Sequence, residues 1–355
     1  VDFTLDETQQ AVAELAATVL RHDADHGRVE QALAAAGGYD QMLWKSMAQA
    51  GLLALALPQA CGGEGFGPVE VHAVLAEVGR QTLPIPALAT LSLGVLPVAA
   101  LGSPEQQQAL LPEVADGRIL TGALRGPSGT VPHARPDGTG HVLTGTAVGV
   151  PYAAQAHRIL VTSDAGVFVL DPGAPGMTLT RTPASAHAPE YTVRLDDVRA
   201  DPDALLTHDA RSVERFALAG AIAVADGVMA GALALTAAHV KTREQFGRPL
   251  AAFQAVAGQV ADVYIVARTV ALAAVSANWR LAEGLCADDD LDVAAWWLAE
   301  ELPRALQTCH HLHGGLGVDI TYPLHRYYSH GKDLARFVGG AAYRLDRMAA
   351  ACTSN

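Results

Sequence analysis

The chain has 355 residues, half of them apolar and only 17% charged, with a formal net charge of −13 at pH 7. That length and apolar content supply a sizeable core for two or three domains and exclude a disordered chain. The acidic balance argues against a nucleic-acid partner, which would need a basic face.

Residues 1–118 predict helices. Leu5–His22 carries Val12, Leu15, Ala16 and Leu20 on a helical stripe, with Thr4 or Asp6 placed to cap it. Tyr39–Ala54 predicts a second helix. The Gly-rich LPQACGGEGFG that follows lacks a G-K-[ST], so it reads as a turn and not a phosphate cradle. Val69–Arg80 and Ala87–Leu96 predict two further helices. Ser103 and Gln106 have capping-box spacing just before another, Gln107–Leu111.

The texture changes near Ile119. Short β-branched runs appear at Thr144–Val150, Ile159–Thr162, Gly166–Leu170, Met177–Thr182 and Tyr191–Leu195. Pro, Gly, Asp and Ala clusters separate them, the pattern of a small antiparallel sandwich or barrel. From residue 208 the chain predicts helices again. Phe216–Arg243 has no proline and three glycines, and Gly247 and Pro249 punctuate its end. A second helical run from Leu250 to about Glu283 makes a helical hairpin. Gly314, Gly315 and Gly317 break the later helical run once, and Pro323 breaks it again. The fold class is α+β: an N-terminal helical domain (1–118), a middle antiparallel β domain (119–207) and a C-terminal helical bundle (208–355).

The N-terminal VDFTLDETQQ does not read as a signal peptide, and no apolar run of membrane-spanning length is free of helix breakers. Cys61, Cys286, Cys309 and Cys352 are scattered, with no C-x-x-C spacing. They read as reduced thiols of a cytoplasmic protein. His310, His311 and His313 lie beside Cys309, but no further ligand pattern supports a metal site, so none is expected.

At the corner of the helical hairpin, Arg243, Gln245 and Gln254 place a fork-shaped cation and two amides close together. This set suits a pyrophosphate or an adenosine edge. In isolation, a solvated helix end is the plainer reading. The whole stretch, R-x-Q-F-G-x-P-L-x-x-F-Q, resembles the acyl-CoA dehydrogenase family, flavoenzymes that form a trans double bond between Cα and Cβ of an acyl-CoA thioester. Three further stretches resemble the family in its own order: Leu43–Gly67, Leu101–Leu120 and His310–Phe337. The resemblance implies the same helix, β and helix architecture.

That reaction needs a carboxylate against Cα, a flavin lying along the Cα–Cβ bond, and donors to the thioester carbonyl. The resemblance places the usual glutamate base at Val338, in Phe337–Val338–Gly339–Gly340. The alternative base position of some relatives falls on Ala217. Neither residue takes a proton. Glu214 lies one helical turn before Ala217 and is the fallback acid, although it reads as a solvated first-turn carboxylate between Arg211 and Arg215. Two family stretches that line the flavin ring are also altered. The T-E-P-x-x-G-S-D stretch corresponds to GALRGPSGTV, Gly122–Val131, without its T-E and S-D pairs. In LTGTAVGVPY, Leu143–Tyr152, Ala147, Gly149 and Pro151 replace the lysine, aromatic and threonine.

The family grips the adenosine and pyrophosphate half of FAD from the neighbouring subunit. The residues the resemblance assigns to that role are present: Arg243, Gln245, Phe246, Gln254, His311, Gly314, Gly315 and Gly317. Glycines there let backbone N–H groups approach a phosphate. The pattern resembles the non-catalytic subunits of actinobacterial α2β2 acyl-CoA dehydrogenases of steroid side-chain catabolism. It implies an accessory subunit with no catalytic residue of its own. This subunit shares FAD with a homologous catalytic partner that acts on an acyl-CoA, with electron-transfer flavoprotein as acceptor and no membrane role. Two alternatives stay open: a self-sufficient homotetramer using Glu214, and a flavin-free scaffold of the same fold.

Overall fold

A computed structural model describes residue 3 and residues 5–21, 26–124 and 130–353. The first helices are α1 (Glu7–Arg21), α2 (His26–Ala34), α3 (Gln41–Gln49) and α4 (Pro68–Gln81). Asp6 caps α1, accepting from the Gln9 N–H at 2.8 Å; Thr4 and His22 lie outside the described residues. The predicted helix at 39–54 is shorter, because Asp40 caps it and the chain turns at Ala50 and Gly51. A π-helical segment, Leu88–Val95, runs into α5 (Leu96–Leu101), followed by α6 (Pro104–Leu110) and α7 (Pro112–Ala115). The predicted capping box closes α6 from both sides, Ser103 with Gln106 at 3.2 and 2.9 Å.

Eight strands follow in two four-stranded sheets, ordered β1-β4-β5-β8 and β2-β3-β7-β6. They are β1 (Leu120–Ala123), β2 (His133–Asp137), β3 (Gly140–Pro151), β4 (Arg158–Thr162), β5 (Val167–Leu170), β6 (Met177–Thr182), β7 (Glu190–Ala200) and β8 (Leu205–Thr207). All pairings are antiparallel except β1 with β4, which is parallel. The alternation of Val193, Leu195 and Val198 with exposed neighbours puts one face of β7 into the core. Thr121 Oγ1 donates to the Pro151 carbonyl at 2.6 Å and ties the two sheets together.

The last third is built on α8 (Ala210–Thr242), α9 (Gln254–Ala282), α10 (Asp288–His313), α11 (Leu324–Phe337) and α12 (Ala341–Thr353). A short ribbon, β9 (Glu244–Gln245) with β10 (Arg248–Pro249), forms the corner between α8 and α9. Three glycines in α8 do not break it. Each lets another chain segment touch the helix backbone: a Cβ on Gly227 would lie 1.8 Å from the Ala76 carbonyl oxygen, and one on Gly231 would lie 2.4 Å from that of Arg80. Gly79 of α4 returns the contact: a Cβ there would lie 2.1 Å from the Val224 oxygen. The two helices therefore cross at glycine-to-backbone distance.

Contrary to expectation, α8 and α9 are both long and apolar enough to cross a membrane by length and composition. The apolar window of α8 is 72% buried, as a core helix should be. That of α9 is only 28% buried, leaving Tyr264, Ile265 and Leu272 more than half exposed.

Candidate functional site

The α8–α9 corner presents its predicted ligands to solvent. Arg243 caps α8, its N–H donating to His239 O at 2.8 Å. Its guanidinium has no ion pair among the described residues and is exposed. Phe246 and Gly247 take φ of +54° and +77° at the tip of the ribbon. Successive positive φ values make the tight turn favoured between two antiparallel strands. The turn leaves Phe246 92% exposed, its ring edge-on to that of Phe253 with centroids 6.2 Å apart. Gln245 and Gln254 are exposed too, and the Gln245 amide donates to the Glu244 carbonyl. Arg248, which the sequence did not single out, lies 4.1 Å over the Phe253 ring. It adds a second cation to the corner.

The histidine–glycine segment meets this corner through one stack. His239, one turn before Arg243, lies 4.3 Å from His313 with ring planes 20° apart. His313 is buried and held by Cys309 O at 2.8 Å and by the Tyr322 hydroxyl at 3.2 Å. Burial pushes the His313 and His239 imidazoles below their ordinary pKa. The C-terminal ends of α8 and α10 therefore abut. His311, Gly314 and Gly315 sit exposed beside the stack, and a Cβ on either glycine would meet open space. Gly314 takes φ +59°, which ends α10. Gly317 differs from them: it is buried, and a Cβ would meet His310 O at 2.8 Å, so it sets the shape of the loop. Exposed backbone, an uncommitted guanidinium and amides fit the phosphate and adenosine end of a dinucleotide. Among the described residues no metal-ligating cluster occurs.

The positions of a base give a different picture. Val338 is fully buried at the end of α11, and its carbonyl accepts from the Arg344 guanidinium. Gly339 and Gly340, at φ +93° and +82°, close the helix by donating back to Arg336 and Ala335. Ala217 is also fully buried. Glu214 is bound by Arg211 at 3.0 Å and Arg344 at 3.7 Å. These groups belong to one ion network with Arg215, Asp288, Asp292 and Arg347, which ties α8 and α10 to α12. The Arg215 guanidinium holds Asp288 down at about 2.

Of the ring-wall positions, Ala147 is buried within the chain, while Gly149 and Pro151 line a cavity of ≈ 270 Å³. Ala147 points into the core and pairs with Val193, and a bulge then turns Val148 outward. Gly149 sits at φ +73°. A Cβ there would lie 3.3 Å from Arg336 Nη1 and 3.4 Å from Glu190 Oε1. Those two side chains form a bidentate pair at 2.9 and 2.5 Å. Where the resemblance implies an aromatic wall, this chain has an ion pair packed against a glycine. Residues 125–129 of the altered stretch Gly122–Val131 lie outside the described residues.

The described helices and sheets now meet two family models: Acyl-CoA dehydrogenase, N-terminal domain over residues 5–118, and Acyl-CoA dehydrogenase, C-terminal domain over residues 209–352. The acyl-CoA dehydrogenase FadE28 of Mycobacterium tuberculosis is 46% identical over 356 residues, covering 99% of each chain. The chain belongs to the acyl-CoA dehydrogenase family. FadE27 of the same organism is 34% identical over 98% of each chain. The structure is similar to a chain of the ChsE4–ChsE5 complex from Mycobacterium tuberculosis, with a TM-score of 0.95 and 33% identity over all of both chains. It is also similar to a chain of the Tcur3481–Tcur3483 steroid acyl-CoA dehydrogenase, with a TM-score of 0.93 and 36% identity over 99% of both.

Proposed function

We propose that this chain is the accessory subunit of a heteromeric FAD-dependent acyl-CoA dehydrogenase. One contrast carries the reading. The phosphate-facing corner of Arg243, Phe246 and Gly314–Gly315 is open and uncommitted, while the base position is a buried Val338 and the ring wall is an Arg336–Glu190 pair. A chain built this way serves another subunit's cofactor and has no ring site of its own. Bound FAD supplies the hydride acceptor for α,β-dehydrogenation of an acyl-CoA. Arg243 and Arg248 would hold its phosphates, Gln245, Gln254 and His311 its adenosine edge, and Phe246 would cover it. The Gly314 and Gly315 backbone would lie along it, on a loop that the buried Gly317 shapes.

The partner in this reading is a homologous catalytic subunit in an α2β2 tetramer. The heteromeric ChsE4–ChsE5 likeness supports it, as does the uncovered apolar side of α9. The steroid enzyme among the similar structures supports a steroid side-chain thioester as substrate. Electron-transfer flavoprotein as acceptor and a cytoplasmic location complete the proposal.

The competing assignment of Glu214 as base has a direct test. Glu214→Gln in the complex should leave turnover with its acyl-CoA within about twofold of the parent, because removing a partner from an ion network acts on stability. Loss of kcat by a hundredfold or more in a folded complex would return the base role to Glu214.

A further inference from the structure

A cleft of ≈ 800 Å³ opens between α1, α4, α8 and α9. Three polar side chains from three helices line it together: His72 of α4, Asp226 of α8 and Asn278 of α9. Asn278 is only 3% exposed. Its Nδ2 donates to the Ala274 carbonyl at 2.9 Å and lies 3.4 Å from that of Ala219, which turns the nitrogen inward and the oxygen to the cleft. The same nitrogen is 3.3 Å from His72 Nδ1. That ring nitrogen therefore accepts, and Nε2–H donates to Asp226 Oδ2 at 3.1 Å. Every side-chain donor of the set is then committed. Two acceptors are not: Asn278 Oδ1 and Asp226 Oδ1 have no hydrogen bond among the described residues.

The charged residues around the cleft are Glu14, Arg21, Glu77, Arg80 and Asp226. Arg21 and Arg80 both close on Glu77, each at 3.2 Å, and the Gln81 amide donates to it as well. Glu14 and Asp226 have no arginine or lysine partner among the described residues. The lining thus carries three carboxylates against two guanidiniums, and the surplus negative charge falls on the side away from Glu77. Phe3, Leu5, Ala17, Val69, Ala73 and Val275 add apolar surface. On α8, Asp226 comes nine residues after Ala217, half a turn out of phase, so it faces away from the alternative base position. Arg243, Phe246, Gly149 and Val338 do not line the cleft, so the site does not rest on the shared-flavin reading.

From the two unmet oxygens, the surplus negative charge and the apolar wall, we propose that this cleft binds a primary ammonium that carries a compact apolar group. An ammonium brings three N–H donors, a positive charge and no acceptor, which complements a pair of oxygens that can only accept. A buried oxygen without a donor is costly, and hydrogen bonds to an ionised partner are the stronger kind. The ammonium would donate to Asp226 Oδ1 and Asn278 Oδ1, with its apolar group along the cleft wall. The volume falls within the range of about 300 to 1,000 Å³ of small-molecule sites. No group of side chains among the described residues could hold a metal ion, so an organic cation is the match.

The test is a ligand-observed NMR titration of the full chain with phenethylammonium. Two probes of similar shape run in parallel: phenethyltrimethylammonium, which keeps the charge without N–H donors, and phenethyl alcohol, which has no charge. Asp226→Asn removes the carboxylate without changing its shape and keeps an acceptor for His72. Ala73→Leu fills part of the cleft. The expected result is one saturable site per chain for the ammonium, at least about tenfold tighter than for either control. Asp226→Asn should weaken the ammonium by about tenfold and leave the alcohol unmoved, and Ala73→Leu should weaken it by a similar factor. If Ala73→Leu does not fold, Asp226→Asn alone decides. No saturable site would mean a hydrated cleft only, and would overturn the proposal. Equal binding of the alcohol, equal binding of the quaternary cation, or a titration unmoved in folded Asp226→Asn would each overturn it as well. Flavin content of the complex, read on the same variants, should stay unchanged, so this result and the shared-site result fail separately.

Discussion

Replacing Arg243 by alanine should strip FAD from the proposed complex and leave this chain folded. The guanidinium is exposed, has no ion pair among the described residues, and follows the last turn of α8. Its removal costs the chain little, because nothing in the fold leans on it. A charge-assisted contact to a phosphate contributes about 1.5–3 kcal/mol, so the Kd for flavin should rise roughly ten- to a hundredfold. Visible flavin absorbance after desalting reads the loss, and the thermal midpoint of the chain serves as control. Arg243→Lys should restore part of the retention, since it keeps the charge and loses the fork. Full flavin content in the alanine variant would remove the corner from the cofactor site.

Gly227→Ala should destabilise the chain by about 3 kcal/mol or more. The added Cβ would fall 1.8 Å from the Ala76 oxygen and 2.7 Å from both the Ala76 carbon and the Arg80 nitrogen. All three are backbone atoms of α4, so no side-chain rotation relieves the clash. The helices must part, and the apolar contacts of Leu75, Val78, Val224 and Val228 loosen with them. The same substitution at Gly258 of α9 should act in the opposite direction. Its Cβ meets nothing within 4 Å, and alanine is about 0.5–1 kcal/mol better in an exposed helix. Denaturant melts of the two variants separate packing from propensity. A Gly227→Ala variant as stable as the parent would refute the close crossing of α4 and α8.

Much of the architecture was legible in the sequence because its signals are local. The Ser103–Gln106 box, strand β6 at Met177–Thr182 and the breaks at Gly314 and Pro323 stand where the residues predict them. Helix α2 was missed. His26–Ala34 is only nine residues long, too short a window for a helical period to stand out. Strands β1, β2 and β8 were missed as well. Three to five residues carry too little alternation to stand out, and the parallel partner of β1 is nearly 40 residues away in β4. The glycines of α8 mark contacts with other helical segments that no single stretch can display.

The candidate site divides in the same way. Arg243, Phe246 and the glycine loop could be found because each belongs to a contiguous motif. Their meeting, through the His239–His313 stack, could not be read from either motif alone. The erosion at Val338 and Gly149 was visible by position. What fills it was not: Arg336 and Glu190 are 146 residues apart, and neither signals the other. Arg248 over Phe253 was missed because a cation five residues past a conspicuous arginine has no pattern of its own.

In the proposed reading this chain completes a flavin site without owning one. The most direct measurement is the visible flavin absorbance of the chain purified alone and then co-purified with its homologous catalytic subunit. A colourless chain and a yellow complex with one FAD for each pair of subunits are expected, since in the proposed reading the Arg336–Glu190 pair and Val338 leave no ring site in this chain. A chain that is yellow alone, with one FAD per subunit, would contradict it and would require the ion pair at Gly149 to open for a flavin ring.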